Sequence, residues 1–532
     1  MVTLRKYSHH FVVVTNDRRI IQPIYDYYRN HLSVFKFGRS KNGPREVDKT
    51  FASANKERTH FRMHINSLRD FMRYMAHRGI PENIWNIEEV EMYKPKPAKF
   101  KCIFPHPLRP KQVEIKDFIF SAKDGVTPVN SGVGALSVLG MHPTRVIPLQ
   151  MGGGKTLIAL YCAALLGVRT MIEISPRYRE NWIKNVYGDE RKLDVDEKDV
   201  LVIQSTTDLV RAVRKAKSKY EKFDYKIIIC HKTTITNFIK AYVRGEPQFK
   251  DYGIKVEDLY KVLGVGLIIR DEVHEELHAN ANQDLHRHVP MVINLSATLE
   301  FDDPKVDDMC RIVFPVCDRY NAGEWNKYID VRALLFGLEF PTKLKWQQFK
   351  KGPYSQAEFE KSILKDKHKR SMYATMIGNF VENYFMLIAE GNDKAALYAA
   401  TIDMCTFLTD QLQERFPDKI VNRYVGEDDY DNLMSSDIVV TTPGSAGTGV
   451  DIKGLRRVIM TLAMKSSQKN FQIKGRLREL FDQLANGEIK DTVFYYFVCT
   501  DIPQHVDYHY FKKQKFRGRV KSHEEIQTDY LL

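Results

Sequence analysis

Eight residues near the middle of the chain, Asp271-Glu272-Val273-His274-Glu275-Glu276-Leu277-His278, support two incompatible chemistries. Asp271 and Glu272 can hold a magnesium–water shell and polarise an attacking water. The overlapping His274-Glu275-x-x-His278 can instead set two imidazoles one helical turn apart with Glu275 as general base, as zinc proteolysis requires. His286 or His288 would have to supply the third zinc ligand, and Ala281 stands where the extended zinc pattern has Gly. The preceding residues separate the two readings. Val265-Gly266-Leu267-Ile268-Ile269-Arg270 is apolar and β-branched and ends in carboxylates. That is the signature of a parallel strand delivering acids to the carboxyl edge of a sheet, where open α/β folds bind ligands. Magnesium is therefore the first reading and zinc the distant alternative.

A second chemical feature lies upstream. Gly152-Gly153-Gly154-Lys155-Thr156 falls between the apolar Val146–Leu149 and a helical run, Leu157–Leu166. Glycines let backbone N–H groups converge on phosphates, and the following helix N-terminus adds positive potential. Lys155 would reach the β- and γ-phosphates, and Thr156 would ligate Mg²⁺. The full G-x-x-x-x-G-K-[ST] pattern has Gly at 149, where this chain has Leu.

Elements that could position these groups alternate along the chain. Short apolar strands are predicted at Met171–Ile174, Val200–Gln204, Lys226–Cys230, Val265–Ile269 and Met291–Leu295, and again at Ala395–Ala400, Asp437–Thr441, Arg457–Leu462 and Phe494–Thr500. Helical or polar segments separate them, which predicts two α/β doubly wound parallel sheets. Residues 1–92 mix a strand, Phe11–Val14, with amphipathic stretches such as Phe61–His77, and form a small N-terminal α+β domain. Tyr93–Lys101 alternates Pro with Lys and reads as a linker over 93–104. The first lobe then spans 105–315. Residues 316–385 form a connector or the start of the second lobe, in which Lys343–Arg370 reads as solvated helix or linker. The second lobe spans 386–505, and a basic tail 506–532.

The chain has 532 residues, 43% of them hydrophobic, and a net charge of +14, which favours a polyanionic partner. The seven cysteines show no paired C-x-x-C spacing, so a disulfide framework or zinc ribbon is not expected. No signal peptide is visible, and the longest apolar helical run, Leu157–Val168, is too short to span a bilayer. A cytoplasmic protein without a membrane partner, monomeric or weakly oligomeric, is the expectation.

Taken in order, the segments resemble a superfamily 2 helicase of the DExH type across about residues 105–500. Leu108-Arg109-Pro110-Lys111-Gln112 resembles the segment whose Gln reads adenine. Gly152–Thr156 resembles motif I, Ser175-Pro176-Arg177-Tyr178-Arg179-Glu180-Asn181-Trp182 the backbone-contacting motif Ia, Asp271–His274 motif II, and Ser296-Ala297-Thr298 motif III. Leu397–Thr401 resembles motif IV, Thr442–Asp451 motif V, and Gln472-Ile473-Lys474-Gly475-Arg476-Leu477-Arg478 motif VI. The family's second motif VI arginine falls at 479, which is Glu here, while Arg478 stands one position earlier.

The resemblance implies two tandem RecA-like lobes and ATP with Mg²⁺ as cofactors. Lys155, Asp271, Glu272, Arg476 and Arg478 would be catalytic. Arg109, Gln112, Gly152, Gly153, Gly154, Thr156, Gly449, Asp451 and Gln472 would bind nucleotide, and Thr156 and Asp271 would hold the metal. His274, Ser296 and Thr298 would couple nucleotide state to grip on nucleic acid. Pro176, Arg177, Arg179, Thr442 and Ser445 would contact nucleic acid. The layout resembles recombination and repair helicases, including phage enzymes that remodel branched DNA. It implies DNA as partner, single-stranded, duplex or branched, with RNA or an RNA–DNA hybrid as the alternative.

Overall fold

The computed structural model describes residues 2–40, 43–122, 137–246, 254–341, 344–347, 352–426, 428–445, 452–478 and 491–532, with 35–40, 43–48 and 137 described in the backbone alone. These residues pack as two compact units, the first within Met1–Leu149 and Gly153–Ala322 and the second within Gln150–Gly152 and Gly323–Leu532.

The first unit opens with a small α+β domain. Its strands are β1 (Val2–Lys6), β2 (His10–Val14), β3 (Ser33–Ser40), β4 (Gly43–Thr50), β5 (Ala52–Ala54), β6 (His60–His64) and β7 (Trp85–Glu89). Five of them form a sheet in the order β5-β6-β2-β1-β7, and β3 and β4 form a separate hairpin. The helices Arg18–His31 and Leu68–His77 bury Ile24 and Phe71 against Leu4, Phe11 and Phe61. The amphipathic stretch Phe61–His77 is thus split, because its first residues alternate in burial as a strand does while its last ones follow a helical period.

This domain is anchored to the sheet that follows it. Arg62 pairs with Glu257 at 2.5 Å, Asn66 donates to Asp318 at 3.1 Å, and the His10 ring donates to the Arg287 carbonyl at 3.1 Å. The Pro–Lys segment after β7 is no free linker. Pro97 bridges Val168, Cys102 bridges Leu193, and the Tyr93 hydroxyl donates to the Val265 carbonyl at 2.6 Å.

The large sheet of the first unit comprises β8 (Thr144–Pro148), β9 (Thr170–Ile174), β10 (Val200–Ile203), β11 (Ile227–His231), β12 (Leu267–Arg270) and β13 (Met291–Ser296), all parallel, in the order β10-β11-β9-β12-β13-β8. Alternate side chains enter opposite cores. Ile172, Ile229 and Ile269 face one layer of helices, and Met171, Ile228 and Ile268 face the other. Both faces being covered, the strands read as unbroken apolar runs.

The second unit repeats the plan. β14 (Ile329–Gly337), β15 (Lys394–Tyr398), β16 (Val421–Tyr424), β17 (Ile438–Thr441), β18 (Leu455–Met460), β19 (Thr492–Cys499) and β20 (Ser522–Leu531) form a parallel sheet ordered β16-β17-β15-β18-β19-β14-β20. Residues 316–385 contain β14 and the helices Gln356–Lys365 and Lys367–Val381, whose Phe359, Ile363 and Ile377 are core residues. One expectation is corrected here. The basic tail is the helix Pro503–Phe516 followed by edge strand β20, and its Phe516 is a core residue, while Phe511 is half-buried and Tyr510 exposed. Two tandem α/β parallel-sheet lobes with a small N-terminal α+β region are therefore present. Among the described residues no helix is long and apolar enough to cross a membrane.

The C-terminal helix brings a buried charge with it. Lys512 is 3% exposed and its Nζ lies 4.0 Å from the Tyr496 ring centre and 4.0 Å from Met460 Sδ. Burial lowers its pKa to about 7. The folded protein therefore binds fewer protons than the unfolded chain between that value and the ordinary lysine value near 10.5. Stability must rise with pH through this window. Lys512→Met is expected to raise stability at pH 7 and to flatten the rise between pH 7 and 9 by on the order of 2 kcal/mol. Denaturant midpoints of both proteins at the two pH values check this; equal slopes would contradict it.

Candidate nucleotide-binding site

The strand order places three chemically loaded strand ends side by side. β12, β13 and β8 are neighbours, and beyond their carboxyl ends lie Asp271, Ser296 and the glycine loop. Gly152 and Gly154 have φ of 80° and 81°, the left-handed region that glycine enters without strain. Gly154 caps the helix Lys155–Leu166, whose first turn carries Thr156. Lys155 Nζ donates to the Leu149 carbonyl at 3.0 Å and lies 3.9 Å from Glu272 Oε1. Leu149 is buried, and its N–H donates to the Ser296 carbonyl at 3.0 Å. A core side chain tied to β13 thus occupies the position where the full phosphate-loop pattern has glycine.

Gln112 lies against this loop. It sits in the first turn of the helix Pro110–Ile119, and its Oε1 accepts the Arg109 N–H at 2.9 Å. A Cβ built on Gly154 would stand 2.4 Å from Gln112 Nε2. Gly154→Ala is expected to weaken nucleotide binding by about tenfold or more, since a left-handed backbone costs a non-glycine residue about 1–2 kcal/mol. Titration with a fluorescent nucleotide measures the effect, and unaltered affinity would contradict it.

The acids are held in place by buried partners. Arg270, at the end of β12, pairs with Glu173 at 3.3 Å and Asp284 at 2.7 Å, and Arg287 pairs with the same two carboxylates at 2.7 and 2.6 Å. Two buried cations and two buried anions balance, which removes the penalty of an unpaired buried charge. Next in the chain, Asp271 accepts the Trp182 indole N–H on Oδ2 at 2.8 Å and the Glu272 N–H on Oδ1 at 2.9 Å. The Lys232 ammonium donates to its carbonyl. Burial, then the adjacent Glu272 carboxylate, push the Asp271 carboxyl up to about 6.

Glu272 has φ of 42°, an uncommon conformation for a side-chain-bearing residue and a mark of functional sites. Its Oε2 is buried, accepts no hydrogen bond and lies 3.3 Å from His274 Nδ1. An orphaned carboxylate oxygen next to the Asp271 carboxyl fits a hard, hydrated cation and a water to be deprotonated. His274 Nδ1 is 2.8 Å from Ser296 Oγ, which donates to the Thr298 carbonyl at 2.5 Å. Burial lowers the His274 pKa to about 4, so the ring is neutral at pH 7 and links the ends of β12 and β13 as a hydrogen-bonding group.

The same geometry corrects the zinc reading. The helix Leu277–Asp284 starts after His274, which lies in the preceding turn, so His274 and His278 are not successive residues on one helical face. His278 Nε2 donates to the Thr50 carbonyl at 2.8 Å. Both nitrogens of His288 are engaged, Nδ1 by the Ser8 N–H at 3.2 Å and Nε2 by the Glu91 carbonyl at 3.1 Å. Among the described residues no group of three metal-ligating side chains is present.

Other predicted residues are placed less simply. Pro176 opens a 3-10 turn, the Arg177 guanidinium is bound by Glu275, and Arg179 donates to Gln204 at 2.6 Å. Arg177 is therefore committed to an ion pair, although it is half exposed. In the second unit, Thr442 and Ser445 share a hydrogen bond of 3.0 Å in the turn after β17. Gln472 lies on the helix Ser467–Lys474, Arg476 is buried, and Arg478 donates to the Gly475 carbonyl. Gly449, Asp451 and Glu479 lie outside the described residues.

Lys232 and Glu360 escaped the sequence reading, and Trp182 was read only as the end of the motif Ia segment. Glu360 accepts the Ala400 and Thr401 N–H groups, each at 2.8 Å, and so fixes the end of β15. Glu360 and Trp182 lie on largely polar helices and Lys232 begins one, so no local pattern names their partners.

No family model and no curated protein matches the chain. Among solved structures it is similar to the Mycobacterium smegmatis helicase Lhr bound to ssDNA and AMP-PNP, at 15% identity and a TM-score of 0.41, covering 71% of this chain and 46% of that one. It is similar to a fragment described as an HsdR subunit of a type I restriction enzyme from Vibrio vulnificus YJ016, at 14% identity and a TM-score of 0.43, covering 72% and 64%. T4 UvsW shows 13% identity and a TM-score of 0.30 over 99% of each chain. The chain thus spans less than half of the Lhr chain. Likenesses at these scores transfer no activity or partner to it.

Proposed function

We propose that this protein is a nucleic-acid-dependent ATPase of the superfamily 2 helicase type that moves on or remodels DNA, branched DNA above all. One observation carries the reading: Lys155, the Asp271–Glu272 pair and the His274–Ser296 contact lie beyond the ends of three adjacent parallel strands. Each group has a task there. The glycine loop and helix N-terminus receive the ATP phosphates, and Lys155 exchanges the Leu149 carbonyl for phosphate oxygens. Gln112, on the neighbouring helix Pro110–Ile119, is proposed to read the adenine. Asp271 and Thr156 would hold magnesium, which when bound neutralises charge on the phosphates. Glu272 Oε2 takes a proton from the attacking water as its oxygen bonds to the γ-phosphorus; the β–γ bridging bond breaks and ADP leaves with the electron pair. His274 and Ser296 pass the state of the acids to β13. Arg476 and Arg478 are proposed as phosphate-facing arginines, and Arg179, Thr442 and Ser445 as nucleic-acid contacts.

The net charge of +14 favours a polyanionic track. Labelled four-way junctions, forks, R-loops and RNA duplexes, incubated with protein and MgATP and resolved by native electrophoresis, test the substrate class. ATP-dependent conversion of branched DNA is expected. Activity confined to RNA would favour the RNA helicase alternative, and no conversion of any substrate would contradict remodelling.

A further inference from the structure

Two buried side chains to which no role has been given converge on Asp271 from different elements. Lys232 begins the helix Lys232–Val243 at the end of β11 and is 1% exposed. Its ammonium donates to the Asp271 carbonyl, and its own carbonyl accepts from buried Gln283 at 3.0 Å. Trp182, on the helix Arg179–Val186, is fully buried and gives its indole N–H to Asp271 Oδ2 at 2.8 Å. The Asp271 N–H donates to the Glu173 carbonyl at 3.1 Å, and Oδ1 accepts from Glu272 N–H at 2.9 Å. Every polar atom of Asp271 is therefore held by a neighbour. A buried ammonium is costly unless its charge is used. The carboxylates around Lys232, those of Asp271, Glu276, Glu275 and Glu173, supply the compensation.

We propose that Lys232 and Trp182 are positioning residues that clamp Asp271 for magnesium, Lys232 through the peptide carbonyl and Trp182 through the carboxylate. The inference rests on the magnesium–nucleotide reading of the site given above. Each Asp271 oxygen uses one lone pair on its clamp and keeps another for the metal shell. A carboxylate already fixed loses little freedom on ligation. Partners that orient a metal ligand typically account for about 10–100-fold in metal affinity.

The test uses the full chain and two readouts: binding of a fluorescent ATP analogue in MgCl2 and in EDTA, and Mn²⁺ binding by electron paramagnetic resonance. Lys232→Met removes the ammonium while filling its space, and Trp182→Phe removes the indole N–H. In each variant the gain in nucleotide affinity brought by metal is expected to fall about tenfold or more, with Mn²⁺ affinity falling in parallel. Affinity in EDTA should change less than about twofold, because both residues act through Asp271. A full metal-dependent gain in both variants overturns the clamp, as does an equal loss with and without metal. Should Lys232→Met fail to fold, Trp182→Phe decides, and an undiminished gain there overturns it. Wild-type protein that binds no nucleotide would instead remove the reading of the site itself, and the clamp with it.

Discussion

Lys155→Ala is expected to abolish ATP hydrolysis, lowering the rate by about 10³-fold or more, the scale of losing a preorganised charge at a transferring phosphoryl group. Lys155 Nζ donates to the Leu149 carbonyl and stands 3.9 Å from Glu272 Oε1, so the ammonium lies beside the acids. Alanine leaves the glycine loop and helix N-terminus in place and removes an ammonium proposed to follow charge onto the leaving ADP. Lys155 is part-exposed at the start of its helix, and alanine is the best helix former, so folding should be preserved. Steady-state phosphate release, with circular dichroism to confirm the fold, measures the effect. An undiminished rate would refute the assignment of the phosphate loop.

Glu272→Gln should separate binding from turnover. The amide keeps the size of the side chain and the backbone conformation at φ 42°, but it cannot take a proton at the position of Oε2. Loss of a general base typically costs about 10²–10⁴-fold in the chemical step. Nucleotide affinity should stay near the wild-type value or rise, because a negative charge is removed beside the phosphates. Single-turnover hydrolysis at saturating protein resolves the chemical step from binding. A variant that hydrolyses ATP at the wild-type rate would show that another group activates water, and Glu272 would lose its role.

Much of the fold was legible because parallel strands buried on both faces leave unbroken apolar runs. β9, β11, β13, β17 and β19 lie within a few residues of their predicted bounds. The strands that were missed carry charge. β14 contains Asp330 and Arg332, with Asp330 neutralised by Lys521 at 3.2 Å. β20 alternates exposed and half-buried residues because it pairs with β14 on one side only. The same rule misled the reading of 506–532, where lysines suggested a solvated tail although Lys512 and Phe516 are core residues.

At the site, candidates contiguous in sequence are legible and contacts made by packing are not. Lys155, Asp271 and Glu272 announce themselves by spacing after a strand. Trp182 and Lys232 touch Asp271 across 89 and 39 positions of sequence, and no local pattern records such a contact. His278 shows the reverse failure. Its spacing from His274 matched a zinc motif, but the helix begins between them and the imidazole serves the Thr50 carbonyl.

The central claim is that ATP hydrolysis at this site answers to nucleic acid. The direct measurement is the wild-type hydrolysis rate without polymer and with saturating single-stranded, duplex, forked and four-way-junction DNA and RNA, at two salt concentrations. The account predicts stimulation by DNA, strongest with branched forms, that weakens as salt rises because phosphate contacts carry the binding. A rate indifferent to every nucleic acid in the panel would contradict it.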